Sequence, residues 1–381
     1  MIEPMRVVAP VPSTIDPAAT VERLASALER SAFAGWDPYD ALSAPHLAAV
    51  ARAPLVRRAV LQLIKRSPVN MRQVLGVKKA RHVKALALLV SAYAQLGQDA
   101  HAAELASELA LRAVCREDGA AWGYDFDVQT RWGYYRAGTP NAVVTSFVAH
   151  ALLDVGAHSD LVAAARRYAV RRLFRRHADA TFFAYYDGSD TLIHNASLLV
   201  AGVFARSAPD DELEPARDAI QCALAAQRPD GSWPYGEGEG LEWVDGYHTA
   251  YNLDALGWWH SRTDDAATRE AIVRGLDLYL TRLIDDDGAA RAGLDRRFPV
   301  DIHACSSAIY VLSRLRDYDE RALPTATLVL EWTLRNMSRS DGRFAFQLHR
   351  HYRNSMSYIR WNDAHMLLAL AHYLNAVEHD A

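Results

Sequence analysis

The chain has 381 residues, half of them hydrophobic, with a formal charge of −4 and a pI near 6.4. That composition supplies a sizeable core and gives no electrostatic case for a nucleic-acid partner. Its three cysteines, Cys115, Cys222 and Cys305, lie far apart and form no CxxC, which argues against a disulfide framework and a structural zinc module.

The chain opens on "MIEPMRVVAPVPSTIDPAAT", which has no basic start followed by an apolar core and so does not read as a secretory signal. No apolar run reaches the roughly 18 residues a membrane helix needs. A cytoplasmic protein without a membrane span is expected. Residues 1–55 read as an irregular helical extension packed on one domain, 56–381.

From "PLVRRAVLQLIKR" onward, helical periodicity dominates and strand signals are scarce. One helix phrase recurs: "RHVKALALLVSAYAQL", "PNAVVTSFVAHALLDV", "HNASLLVAGVFARS", "YHTAYNLDALGWW", "IHACSSAIYVLSRL" and "WNDAHMLLALAHYL". Each carries a His or Asn at its start: His82, Asn141, Asn195, His248, His303 and Asn362, spaced 53–59 residues apart. A period of that length marks a repeat architecture. Between these apolar helices lies an amphipathic series that includes "HAAELASELALRAVCRED", "DELEPARDAIQCALAAQ" and "RALPTATLVLEWTLRNM". The helix at "PLVRRAVLQLIKR" is the candidate sixth member of that series. Turns such as "EDGAAWGY", "RPDGSWPYG" and "SDGRFAFQ" follow several of them, where glycine accepts positive φ without steric cost.

Helices that are apolar all round are buried, and helices with a charged face lie outside. Six such hairpins predict an all-α fold, an (α/α)6 toroid. An open solenoid is the alternative, but neither end shows a polar capping repeat. The Arg166–Arg176 basic cluster reads as a solvated outer face.

In a closed ring the inner helices run parallel, and their N-termini gather at one mouth with unpaired N–H groups. Asn is a good helix cap, so Asn141, Asn195 and Asn362 divide between capping and binding. Histidine caps poorly, so His248 and His303 point to function. The entering loops add Asp127, Arg131, Trp132 and Tyr134; Glu242, Trp243 and Tyr247; Asp301; and Tyr358, Arg360 and Trp361. Rings that stack on sugar faces, acids and histidines that move protons, and arginines that grip carboxylates suit an anionic glycan.

For proton transfer the candidates are His248, Tyr247 and Tyr358. For hydrolysis a carboxylate pair is needed, from Asp127, Glu242 and Asp301. Substrate contacts are expected from Arg131, Trp132, Tyr134, Asn141, Asn195, Trp243, Tyr251, Asn252, His303, Arg360, Trp361, Asn362 and His365. No cofactor or metal is expected. His303 and Cys305, at i and i+2, do not share a helix face.

The stretch "QRPDGSWPYGEGEGLEWVDGYHTAYNLDAL" resembles the repeat of terpenoid cyclases and protein prenyltransferases, which implies the toroid. The DxDD motif of class II cyclases is absent, and the prenyltransferase zinc-binding Asp-x-Cys is replaced by Asp245-Gly246-Tyr247. Over residues 36–375 the phrases "WDPYDAL", "DFDVQTRWGYYRAGTPNAVVTSFVAHALLD", "QRPDGSWPYGE", "FPVDIHACSSAI" and "SYIRWNDAHMLLAL" resemble the VpsJ-like toroid proteins of bacterial exopolysaccharide gene clusters. The last phrase is also similar to the C-terminal region of glucuronyl C5-epimerases. These resemblances imply one toroid and an enzyme that modifies a uronic-acid-containing polysaccharide, as epimerase, lyase or hydrolase. The alternatives are an isoprenoid enzyme, signalled by a dry aromatic cavity, and a non-catalytic glycan-binding protein.

Overall fold

In a computed structural model, which describes residues 16–45, 47, 53–130 and 133–380, the repeat closes into a ring. Helices α1 (Pro17–Arg30) and α2 (Pro54–Arg66) precede an alternating series. It runs α3 (Val83–Gln95), α4 (Asp99–Leu111), α5 (Ala142–Asp154), α6 (Ser159–Tyr168) and α7 (His194–Ser207). It continues with α8 (Glu214–Ala226), α9 (Gly246–Thr263), α10 (Ala266–Leu278), α11 (Ile302–Arg314), α12 (Ala322–Met337) and α13 (His365–Asp380).

The inner helices are α3, α5, α7, α9, α11 and α13. Each packs on the next, and α13 returns to α3. That return contact decides for the toroid over the solenoid. The reason is visible in composition: α3 is buried at eleven consecutive positions, Val83–Tyr93, and α7 at twelve, His194–Ala205. Such helices need neighbours on every side. No helix among the described residues is long and apolar enough to cross a membrane.

The outer partners are α4, α6, α8, α10 and α12, and the sixth is α1, which packs on α13. The sequence reading gave that place to "PLVRRAVLQLIKR", and the structure corrects it. Helix α2 packs instead on the 3-10 turn Asp40–Ser43 and on the strand Val128–Gln129. Only Leu61 and Ile64 of α2 are buried, whereas α1 buries six residues. The N-terminal extension therefore supplies the outer helix of the closing hairpin.

The turns repeat a specific device. The Trp122 indole donates to Leu109 O and the Trp233 indole to Ala223 O, both at 2.8 Å, so each satisfies a carbonyl near the end of the preceding outer helix. Gly231 has φ +86°, and a Cβ there would lie 2.3 Å from Arg274 O. Turn chemistry thus accounts for "RPDGSW". The basic cluster is paired on the outside: Arg166 with Glu212, Arg172 with Asp118, and Arg176 with Asp218.

Inner-helix starts are stitched to loops of the following unit. Ala142 N donates to Tyr185 O, His194 N to Tyr235 O and Ile302 N to Phe346 O. Ile359 N donates to Trp36 O, which closes the belt across the chain's two ends. This belt fixes the loops that form the mouth.

Candidate active site

At that mouth is a cavity of about 380 Å³, a volume at the low end of small-ligand sites. Eight tyrosines, Phe126, Trp243 and Trp361 line it. The rings interlock: Tyr135 stacks on Tyr186 at 3.7 Å, and Tyr235 on Trp243 at 4.2 Å. Tyr124 and Tyr185 share a hydroxyl contact of 3.1 Å. Burial raises Tyr185, Tyr186, Tyr247 and Tyr251 well above the usual phenol range. They remain protonated, so each can donate a hydrogen bond.

The polar groups are positioned by helix starts. Asp245 caps α9: one carboxylate oxygen accepts from His248 N at 2.9 Å, and the other lies 2.8 Å from His248 Nδ1. A carboxylate only accepts, so the proton resides on Nδ1. His248 Nε2 is then left with a free lone pair on a ring that lines the cavity. Asp301 does the same capping for α11, accepting from His303 N. Because an aspartate caps each helix, both histidines are free to turn inward. Neither histidine caps its own helix with its side chain.

Deeper in, His303 Nδ1 lies 3.2 Å from Trp361 O, and its Nε2 lies 2.7 Å from the Tyr251 hydroxyl. The carbonyl fixes the tautomer, so Tyr251 donates to Nε2. The His365 ring packs edge-on against His303 at 4.0 Å. Burial and the charge on Lys84 hold His303 well below the usual imidazole range, and burial and His303 do the same to His365. Phe147, Tyr251 and His365 separate this cavity from a second one of about 300 Å³ around Trp258.

Lys84, from α3, is only 4% exposed and lines the cavity. Its amine sits 3.9 Å from the centre of the Phe147 ring and 5.3 Å from that of Tyr251. No carboxylate pairs with it among the described residues. Burial, and then Arg360, push it well below the usual amine range. Arg360 itself is committed to Asp37 through bonds of 2.5 and 2.9 Å. Among the described residues, no Asp or Glu lines the cavity.

The structure sorts the sequence candidates. It brings Asn195, Trp243, Tyr247, His248, Tyr251, His303, Arg360 and Trp361 to one cavity, with His365 just beneath. It excludes others. Tyr358 is fully buried and accepts from Arg72 at 2.9 Å, so it braces the ring closure. Asn141 caps α5 by accepting from Val144 N at 2.9 Å, and Asn362 donates to Phe344 O and Met356 O. Asn252 is buried and lines neither cavity.

Nor does a carboxylate pair form. Asp127 binds Tyr134 and Ala137 N on the outer loop, which also removes Tyr134 from the site. Glu242 and Asp301 line an adjoining groove, and Asp301 is occupied by Gln347 and the Trp361 indole. Arg131 and Trp132 lie outside the described residues.

Sequence reasoning missed Lys84, Asp37 and the Asp245 partner of His248. Lys84 had a signal: it is the one charge inside the apolar helix "VKALALLVSAYAQ". The π-helical turn Ile359–Ala364 was also unforeseen. It puts Arg360 and Trp361 on the cavity and turns Asn362 and Asp363 into the wall, where Asp363 meets Arg343 at 2.7 Å.

No family model matches the sequence, and no curated protein matches it. Solved structures share the fold. A possible GH105 member from Salmonella enterica superposes with a TM-score of 0.62 at 10% identity, over 98% of this chain and 99% of that one. An unsaturated glucuronyl hydrolase specific for heparin gives 0.55 at 11%, covering 78% of this chain and 86% of that one. A sugar epimerase from a ruminal bacterium gives 0.56 at 12%, covering 78% and 90%. All three are α/α toroids, as this chain is.

Proposed function

We propose that this protein modifies a uronic-acid-containing saccharide by removing the proton next to its carboxylate, as an epimerase or lyase does. The observation that carries the reading is the floor of the cavity. Lys84 and Arg360 gather there beside His303 and His365, whose burial disfavours their charged forms; Asp37 is matched to Arg360, and among the described residues no carboxylate is paired with Lys84. A site short of negative charge is completed by a ligand that brings it. Tyrosine and tryptophan walls suit pyranose rings, and their hydroxyls suit sugar hydroxyls.

In this reading the substrate carboxylate meets Lys84. His248 Nε2 takes the α-proton while Asp245 holds the ring. The electron pair left by the C–H bond spreads onto the carboxylate, where Lys84 stabilises it. Tyr251 then returns a proton to the carbon, which is epimerisation. Alternatively, the electron pair expels the neighbouring glycosidic oxygen and Tyr251 protonates it, which is elimination. His303 supports Tyr251 in either case.

Two-carboxylate hydrolysis lacks its pair in this cavity. An isoprenoid enzyme would share the aromatic wall, but eight of these rings carry hydroxyls, and among the described residues no Asp or Glu lines the cavity to protonate a hydrocarbon. The names of the fold's neighbours, a glucuronyl hydrolase and a sugar epimerase among them, support a carbohydrate substrate. The resemblance over 36–375 supports a bacterial exopolysaccharide as its source.

The test is incubation with oligouronates in deuterated water. Deuterium at the carboxylate-bearing carbon, or a new unsaturated uronate, is expected from the wild type and is lost in His248→Ala. A folded His248→Ala protein with full turnover would sink the reading, as would capture of isoprenyl diphosphates and no saccharide.

A further inference from the structure

A second feature adjoins the cavity: a groove of about 650 Å³ that shares Trp243, Tyr247 and Trp361 with it. We infer that this groove holds the saccharide units next to the reacting one, so that the substrate is a chain rather than a mono- or disaccharide. The inference rests on the reading of the cavity as a saccharide site.

Three observations support it. First, the two spaces meet across a saddle of rings. Trp243 is 41% exposed; it stacks on Tyr235 and lies against the His248 ring, and the remainder of the indole is open to solvent. A sugar chain leaving the cavity crosses such a surface by stacking. Second, the saddle is held rigid from the groove side. Asp301 accepts from the Trp361 indole at 2.8 Å and from Gln347 at 2.7 Å, and Asp245, which orients His248, also lines the groove. Third, two of the groove's arginines have no carboxylate partner among the described residues, Arg228 reaching only the Glu242 carbonyl at 3.5 Å. These two, Arg228 and Arg296, are exposed, and Lys65 donates to the Tyr39 hydroxyl at 2.5 Å. Glu242 and Asp295 also make no ion pair among the described residues, and the lining holds four basic and four acidic side chains, so it is mixed. Such a lining hydrogen-bonds sugar hydroxyls and attracts uronate carboxylates.

The test is calorimetric titration with galacturonate, mannuronate and hyaluronan fragments of two, four and six units. It compares the wild type with an Arg228→Ala/Arg296→Ala double variant, whose exposed substitutions leave the fold intact. For the wild type we expect about tenfold tighter binding of the four-unit than the two-unit fragment, roughly 1.4 kcal/mol. In the variant that gain falls below about threefold, while two-unit binding is unchanged. Equal affinity at every length, or a gain that survives in the variant, overturns this inference and leaves the cavity reading standing. Failure to bind at any length overturns both.

Discussion

The Tyr251 hydroxyl lies 2.7 Å from His303 Nε2, and a backbone carbonyl, Trp361 O, holds the other ring nitrogen at 3.2 Å. The pair joins two neighbouring inner helices, α9 and α11, at the floor of the cavity. Its geometry makes Tyr251 a donor to His303, with His365 Nε2 farther off at 3.5 Å. Removing the hydroxyl as Tyr251→Phe leaves His303 Nε2 buried without a donor. We expect a loss of about 1–3 kcal/mol in stability, read by denaturant unfolding. We also expect turnover to fall by about 10²–10⁴ with KM little changed. An unaltered rate would remove Tyr251 from the chemistry.

Asp245 has two jobs that one substitution separates. Asparagine caps a helix as well as aspartate does, so Asp245→Asn should keep α9 and shift stability by well under about 1 kcal/mol. It no longer enforces the Nδ1–H tautomer of His248. Turnover should fall by about 10²–10⁴. A variant that unfolds early would show that the cap, not the dyad, is what the carboxylate supplies.

Lys84 is buried at a cost. Its amine titrates at about 10.5 when unfolded and well below that when folded. Between those values the unfolded chain holds one more proton, so wild-type stability rises with pH across that window. Lys84→Met removes the penalty. It should melt higher than the wild type near neutral pH, with the advantage shrinking as pH climbs towards 10.5. It should also lose affinity for uronates. Weaker binding together with a lower melting temperature would mean that the amine is structural.

At a pH between the folded value of Lys84 and its usual 10.5, uronate binding should take up a proton. A carboxylate beside Lys84 favours the ammonium form and pulls its pKa back up. Titrations in buffers of different ionisation enthalpy should therefore give different apparent heats, and affinity should improve as pH falls towards the free-state value. Heats that do not depend on the buffer would rule out this coupling.

Asp37 and Arg360 tie residues 323 positions apart at the ring's closure. Burial pushes Asp37 up, but the Arg360 charge and hydrogen bonds more than reverse it and hold it below 3.8. Its contribution is complete above 3.8 and is lost as pH falls through the lower folded value. Asp37→Asn leaves Arg360 buried and unpaired, so at pH 7 we expect about 3–5 kcal/mol of destabilisation. The gap to wild type should narrow in acid. Chemical denaturation at several pH values checks both the size and the trend.

The ring was legible because helix burial is written in composition. Segments such as Val83–Tyr93 have no polar face, and their 53–59-residue spacing leaves few ways to bury them. Histidines at helix starts were also legible, because they sit where a cap should be and cap poorly. The sequence could not show which outer helix closes the ring. α1 and α2 are both amphipathic, and only contact with α13 distinguishes them. Nor could it separate Asn141, a cap, from Asn195, which faces the cavity, since the same residue type serves either purpose.

The carboxylates show the limit most plainly. Asp127, Glu242 and Asp301 all lie on loops near the mouth in sequence, yet hydrogen bonds hold Asp127 and Asp301 away from the cavity and Glu242 lines the adjoining groove. Lys84 lies in the middle of an apolar phrase and ends on the wall of the cavity. Local pattern determined the helices and their order, because burial and capping act over a few residues. Tertiary structure alone decided which polar side chains share one space, because that depends on partners from 52 to 323 residues away in the chain.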